Sequence, residues 1–110
     1  MPFEVEELTG DVSLIRAAGR LDMVSAPGLR SIVADALAAG RTRLVVDLSD
    51  VAFMDSSGLG ALVGCLKAAR HAEGDLRLAR PSAQVVSVLR LTNLDRVLAI
   101  VDAPEAAYEC

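Results

Sequence analysis

Residues 43–64 read RLVVDLSDVAFMDSSGLGALVG, and the fold follows from the way the apolar period changes along this stretch. Arg43 to Leu48 is a continuous apolar run with one Asp near its end, the pattern of a strand buried on both faces. From Ser56 to about Ala72, Leu59, Leu62, Val63, Leu66 and Ala69 recur at helical spacing, and Gly74 closes the pattern. A buried strand, a short connector and a helix make up half of a βαβ unit, so the sheet is expected to be largely parallel.

The same alternation extends outward in both directions. Phe3 to Thr9 reads as an edge strand, Gly10-Asp11 as a turn and Val12 to Ala18 as a second strand, which together form an N-terminal hairpin. Ser25 is placed to cap a first helix with Pro27 in its first turn, Leu29, Ile32, Val33, Ala36 and Leu37 at helical spacing, and Gly40 as its stop. Beyond Gly74, Asp75 to Ala79 reads as a strand, and Pro81-Ser82 opens a third helix that ends at Asn93. Arg96 to Val101 reads as a last strand, and Pro104 starts a short terminal helix. The expected architecture is α/β: a mainly parallel central sheet with an antiparallel N-terminal edge strand, covered by about four helices. At 110 residues the chain is long enough for one core and too short for two, so residues 1–110 are read as a single domain.

Composition narrows the function. The hydrophobic fraction is 53% with only Phe3, Phe53 and Tyr108 as aromatics, so the core is aliphatic. A net charge of −4, with basic residues scattered singly, argues against nucleic-acid binding. No apolar run approaches the roughly 18 residues of a membrane span, and Met1-Pro2-Phe3-Glu4 lacks signal-peptide character, so a cytoplasmic protein is expected. Cys65 lies on the apolar pattern of a helix and Cys110 at the tail, without metal-ligand or redox spacing, and neither a metal nor a cofactor is expected.

Chemistry concentrates between the central strand and its helix. Asp55, Ser56 and Ser57 stand where N-cap residues belong, and capping alone accounts for them. Gly58, Gly60 and Gly64 each cost a helix about 1 kcal/mol relative to Ala, which points to packing or access as their reason. A hydroxyl at a helix N-terminus is also a favourable place for a phosphate, because backbone N–H groups and the helix dipole favour negative charge there. The residues by themselves leave capping and phosphorylation open. A hydrolase is excluded because no glycine precedes Met54-Asp55-Ser56, and His71 stands fifteen positions on, roughly 20 Å along the helix. A magnesium-dependent phosphoacceptor domain centred on Asp47 lacks its acidic pair, and the sole lysine, Lys67, is misplaced. Asp47 is instead read as a connector-facing residue near Ser56. Met23-Val24 puts apolar residues in the loop after Asp22, as either partner surface or a hydrophobic staple onto the first helix, and the staple is the favoured reading.

The string Val51-Ala52-Phe53-Met54-Asp55-Ser56-Ser57-Gly58-Leu59-Gly60 resembles the signature of the bacterial anti-sigma factor antagonists, members of the STAS domain family. Gly19-Arg20-Leu21-Asp22, Val45-Val46-Asp47-Leu48 and Leu89 through Val101 extend the resemblance over most of the chain. The resemblance implies a STAS-type fold and a binding protein with no catalytic group of its own. It makes Ser56 the phosphoacceptor, and Asp22, Asp47, Asp55, Ser57 and Gly58 its partner-binding surroundings. The implied partner is an anti-sigma factor that is also a serine kinase and carries the ATP and magnesium. Binding by the unphosphorylated protein frees a sigma factor for transcription, phosphorylation ends that binding, and a serine phosphatase restores the hydroxyl. The alternative within the family is a STAS subunit of a transporter or stress-sensing complex.

Overall fold

The computed structural model describes residues 3–108, and among these one five-stranded sheet carries three α-helices. The elements are β1 (Phe3–Leu8), β2 (Val12–Leu21), α1 (Ala26–Ala38), β3 (Arg43–Met54), α2 (Ser56–His71), β4 (Asp75–Ala79), α3 (Ala83–Leu91) and β5 (Ala99–Val101). They pair in the order β1-β2-β3-β4-β5, β1 antiparallel to β2 and the remainder parallel, as the alternation predicts. Parallel strands added in sequence through right-handed crossovers place all their helices on one face of the sheet. That face holds the main core. Leu44, Val46 and Leu48 of β3 join Ile15, Ala17, Leu76 and Leu78 beneath Leu29 and Val33 of α1, Leu62 and Leu66 of α2, and Val85 and Leu89 of α3.

The opposite face is only partly covered. Val12, Leu14, Val45 and Ala79 meet Ala107 and Tyr108 of the C-terminal segment there. The terminal helix expected from Pro104 is a single 3-10 turn, Pro104–Ala106, so three α-helices replace the expected four. Its bonds run from residue i+3 to i, Ala106 N–H to Ala103 O and Ala107 N–H to Pro104 O, and the turn delivers Tyr108 directly onto the sheet. The Tyr108 hydroxyl donates to Leu44 O at 2.6 Å, and burial pushes its pKa up to about 12. Cys110 lies outside the described residues.

Three boundaries differ from the sequence reading. β2 and β3 run on to Leu21 and Met54 instead of ending at Ala18 and Leu48, because each supplies the other's hydrogen bonds through Ala18↔Asp50, Gly19↔Val51, Arg20↔Phe53 and Leu21↔Met54. The local sequence, with Gly19 and Asp50, carries breaker residues there, and only the neighbouring strand overrides them. β5 begins at Ala99 and not Arg96, since Asn93 adopts a left-handed φ of 60° and Leu94–Arg96 forms a 3-10 turn.

Gly74 closes α2 for an unexpected reason. The left-handed position is Glu73, at φ 65°, while a Cβ at Gly74 would stand 1.8 Å from Thr42 O. Gly60 and Gly64, by contrast, face open space on α2. Gly74→Ala is therefore expected to destabilise the protein by about 3 kcal/mol through backbone displacement, whereas Gly60→Ala and Gly64→Ala should each stabilise it by about 1 kcal/mol. Urea denaturation of the three variants checks the contrast, and similar midpoints for all three would contradict it.

Candidate functional site

The β3 overhang brings two connectors side by side. Asp55 N–H donates to Leu21 O at 3.2 Å, joining the start of α2 to the end of β2. At Gly58 a Cβ would lie 2.2 Å from the same Leu21 oxygen, so glycine there is required by the close approach of helix and strand. Asp55 is the N-cap of α2: its Oδ1 accepts from Ser57 N at 2.9 Å and Gly58 N at 3.0 Å. Ser56 is the first helical residue and is exposed. The expectation that free N–H groups would cradle a phosphate is thus corrected in part, since the amides of Ser57 and Gly58 are already held by Asp55. A phosphate on Ser56 would instead project from the surface, within the positive field of the helix end and beside a carboxylate.

The adjoining loop is shaped by Asp22. Its Oδ1 accepts from Val24 N at 3.0 Å and Ser25 N at 3.2 Å, and Arg20 approaches Oδ2 at 3.5 Å. The Ser25 N–H, aided by the Val24 N–H and Arg20, holds the Asp22 carboxyl below the usual carboxylate range despite some desolvation. Ser25 occupies the N-cap position of α1 but makes no side-chain cap bond, because its hydroxyl donates to Arg20 O at 2.7 Å and accepts from Asp22 N at 3.0 Å. The turn so fixed thrusts Met23 and Val24 outward, at 74% and 85% exposure, so they are not a staple. Arg20 lies over the Phe53 ring, 4.2 Å from its centroid. One surface therefore carries Asp22, Met23, Val24, Arg20 and Phe53 beside Asp55, Ser56 and Ser57, while Gly58 is buried beneath it against Leu21 and offers no side chain to a partner.

Asp47 is elsewhere. It is 3% exposed, and its register partners Arg16 and Ala79 place it on the sheet face away from the α-helices. Seven residues separate it from the end of β3, roughly 20 Å along an extended chain. Its carboxylate accepts from Arg80 Nη2 at 2.6 Å and Ser49 N at 3.0 Å. Burial pushes its pKa upward, but the Arg80 and Ser49 hydrogen bonds outweigh that and hold the carboxyl low. The expectation that Asp47 faces the connector is overturned by strand alternation, which sends odd-numbered residues of this part of β3 to the other face.

Sequence reasoning missed Gln84. From the first turn of α3 its side-chain amide accepts from Met54 N at 2.8 Å and donates to Met54 O at 3.0 Å, which pins the residue before Asp55. A polar residue near a helix start reads as solvated, and no local signal distinguishes it. His71 and Ser56 stand at opposite ends of α2, and Cys65 is buried, its thiol pushed up to about 11 by desolvation.

Two consequences are measurable. Asp55→Ala removes both cap bonds and should cost about 1 kcal/mol. For Asp47 the native pKa is depressed, so its stabilisation is complete above the unfolded value near about 4 and disappears as pH falls through the native value. Asp47→Asn should accordingly be about 1–3 kcal/mol less stable than wild type at pH 7, with the gap closing at acidic pH. Urea titrations across pH 2–7 would contradict the pairing if the gap stayed constant.

A family model for the STAS domain matches residues 3–107. The Bacillus subtilis anti-sigma-B factor antagonist is 33% identical over 106 residues, covering 96% of this chain and 95% of its own length. A crystal structure from Thermotoga maritima superposes with a TM-score of 0.88 at 33% identity, over 97% of this chain and 92% of that one. The anti-sigma factor antagonist SpoIIAA of Bacillus, solved in unphosphorylated and phosphorylated forms, superposes with a TM-score of 0.75 in both, at 27% and 28% identity over 94% of this chain and 90% and 92% of the other. A capped helix start with an exposed serine, on a fold shared along its whole length with such proteins, places the chain: it belongs to the STAS domain family, and anti-sigma factor antagonists are its full-length relatives.

Proposed function

We propose that this protein is an anti-sigma factor antagonist switched by phosphorylation of Ser56. The observation that carries the reading is the exposed Ser56 hydroxyl at the first residue of α2, in an Asp-Ser-Ser-Gly string whose Asp caps the helix. The unphosphorylated surface offers a binding partner the neutral hydroxyl of Ser56, and the β2–α1 turn, joined to the start of α2 through Leu21 O, exposes the apolar side chains of Met23 and Val24. The partner is an anti-sigma factor with serine kinase activity, which brings the ATP and magnesium. Capture of that partner releases a sigma factor.

Phosphorylation adds about −1.5 to −2 charge where Asp22 and Asp55 already stand, at a contact the partner must desolvate. The interface loses affinity while the fold is untouched, because the cap, the Gly58 approach and the Asp55–Leu21 bond do not involve the Ser56 side chain. A serine phosphatase resets the switch. Support for the chemistry comes from SpoIIAA, a relative that exists in a phosphorylated form. Asp47 contributes to this surface only indirectly, through Arg80 and the connector it anchors.

Mass spectrometry after incubation with candidate anti-sigma kinases and ATP should place phosphate on Ser56, and Ser56→Ala should remain folded and bind but take no phosphate. Calorimetric titration should show the phosphoprotein binding about 5- to 150-fold more weakly, about 1–3 kcal/mol, with an unchanged circular dichroism spectrum. Equal affinities of the two forms would overturn the switch. Copurification with a transporter ATPase and no kinase would favour the transporter-subunit alternative.

A further inference from the structure

We propose that Gln84 is a positioning residue for Ser56: its side-chain amide stands in for a missing strand at the end of β3 and fixes the connector from which the serine is presented. The role rests on the reading of Ser56 as the phosphoacceptor. β4 accompanies β3 only as far as Asp47↔Ala79, while β3 continues for seven more residues with β2 as its strand partner. Met54 ends that overhang in the buried core, where an unpartnered backbone amide or carbonyl is costly. Gln84 supplies both partners: Oε1 accepts from Met54 N–H at 2.8 Å, and Nε2 donates to Met54 O at 3.0 Å. Its primary amide carries both a donor and an acceptor, and so supplies from one group the two bonds that a longer parallel β4 would have given from two separate peptide groups.

Gln84 is itself held firmly. Ser82 caps α3 by accepting from Val85 N, Val85 and Leu89 are buried, and Arg80 ties the β4–α3 connector to Val101 O through its backbone and to Asp47 through its side chain. A continuous set of contacts therefore runs from the far face of the sheet through Arg80 and α3 to Met54, then to Asp55 and Ser56. On the other side Leu21 fixes the same connector through Asp55 N–H. Loss of the Gln84 bonds frees one edge of the connector while leaving the helix cap and the β2 pairing in place. Phosphoryl transfer depends on the hydroxyl being held in line with the incoming group, and small misplacements carry large rate penalties.

The test is Gln84→Met, which fills the same space and makes neither bond, in the full chain. Amide hydrogen exchange at Met54 should accelerate about tenfold or more, with Val45, Val46 and Leu62 unchanged, as expected of a local opening. With the anti-sigma serine kinases of the source genome as probes, each with ATP and magnesium, kcat/KM for Ser56 phosphorylation should fall about tenfold. A merely structural role would lower the denaturation midpoint and leave the kinetics of the folded protein unmoved. Should Gln84→Met not fold, Gln84→Glu keeps the acceptor for Met54 N–H but sets a carboxylate oxygen against Met54 O, and should show a loss of about tenfold by the same measurements. Unaltered exchange at Met54, or faster exchange with wild-type phosphorylation kinetics, would overturn the role of Gln84 alone. A wild-type protein that takes no phosphate on Ser56 would overturn the switch, and the positioning role with it.

Discussion

The parallel pairing of β2 with β3, continued past the end of β4 to Leu21 and Met54, is the constraint on which the candidate functional surface depends. It carries two connectors beyond the body of the sheet and locks them together at a single carbonyl. Leu21 O receives the Asp55 N–H and excludes any side chain at Gly58. In open α/β sheets, binding surfaces gather beyond the carboxyl ends of the strands. Here that general tendency has a local cause: the overhang makes the first turn of α2 rigid at its base and open at its tip.

Rigidity and exposure serve different parts of the site. Asp55 spends its carboxylate on the helix amides, and Asp22 spends its own on the turn that presents Met23 and Val24. Both acids are therefore structural as well as electrostatic, and their charge stays beside Ser56 whatever the partner does. A new negative charge at that serine adds to a fixed field and cannot be relieved by moving either carboxylate without breaking a cap or a turn. The proposed switch would thus change the electrostatic character of the site without changing its shape.

The far face of the sheet reinforces this arrangement from below. Asp47 and Arg80 pair at 2.6 Å across the end of β4, and Arg80 itself adopts a left-handed backbone, φ 51°, as the chain turns toward α3. At the other end of the same face Tyr108 is held between the guanidinium groups of Arg43 and Arg77 while its hydroxyl bonds Leu44 O. With the three helices on one side, these polar and aromatic ties join the small apolar cluster of Val12, Leu14, Val45, Ala79 and Ala107 in covering the other.

Period and punctuation in the sequence were sufficient for the order of strands and helices, the parallel sheet with its antiparallel edge, and the placing of Asp55, Ser56 and Ser57 at the start of α2, because these depend on residues near one another in the chain. The Asp-Ser-Ser-Gly string was likewise legible, although its residues alone did not separate a cap from a phosphoacceptor. What the tertiary structure decided were matters of distant partners. Residues 49–54 are strand because β2 lies beside them, Asp47 faces away because alternation fixes it to the opposite side, and Met23 and Val24 are exposed because Asp22 and Ser25 close the turn beneath them. Gln84 meets Met54, thirty residues earlier in the chain, and Gly74 is needed for Thr42, thirty-two residues earlier. Local pattern specifies which surfaces a segment can bury, and only the assembled sheet specifies which atoms of another segment will be there to meet them.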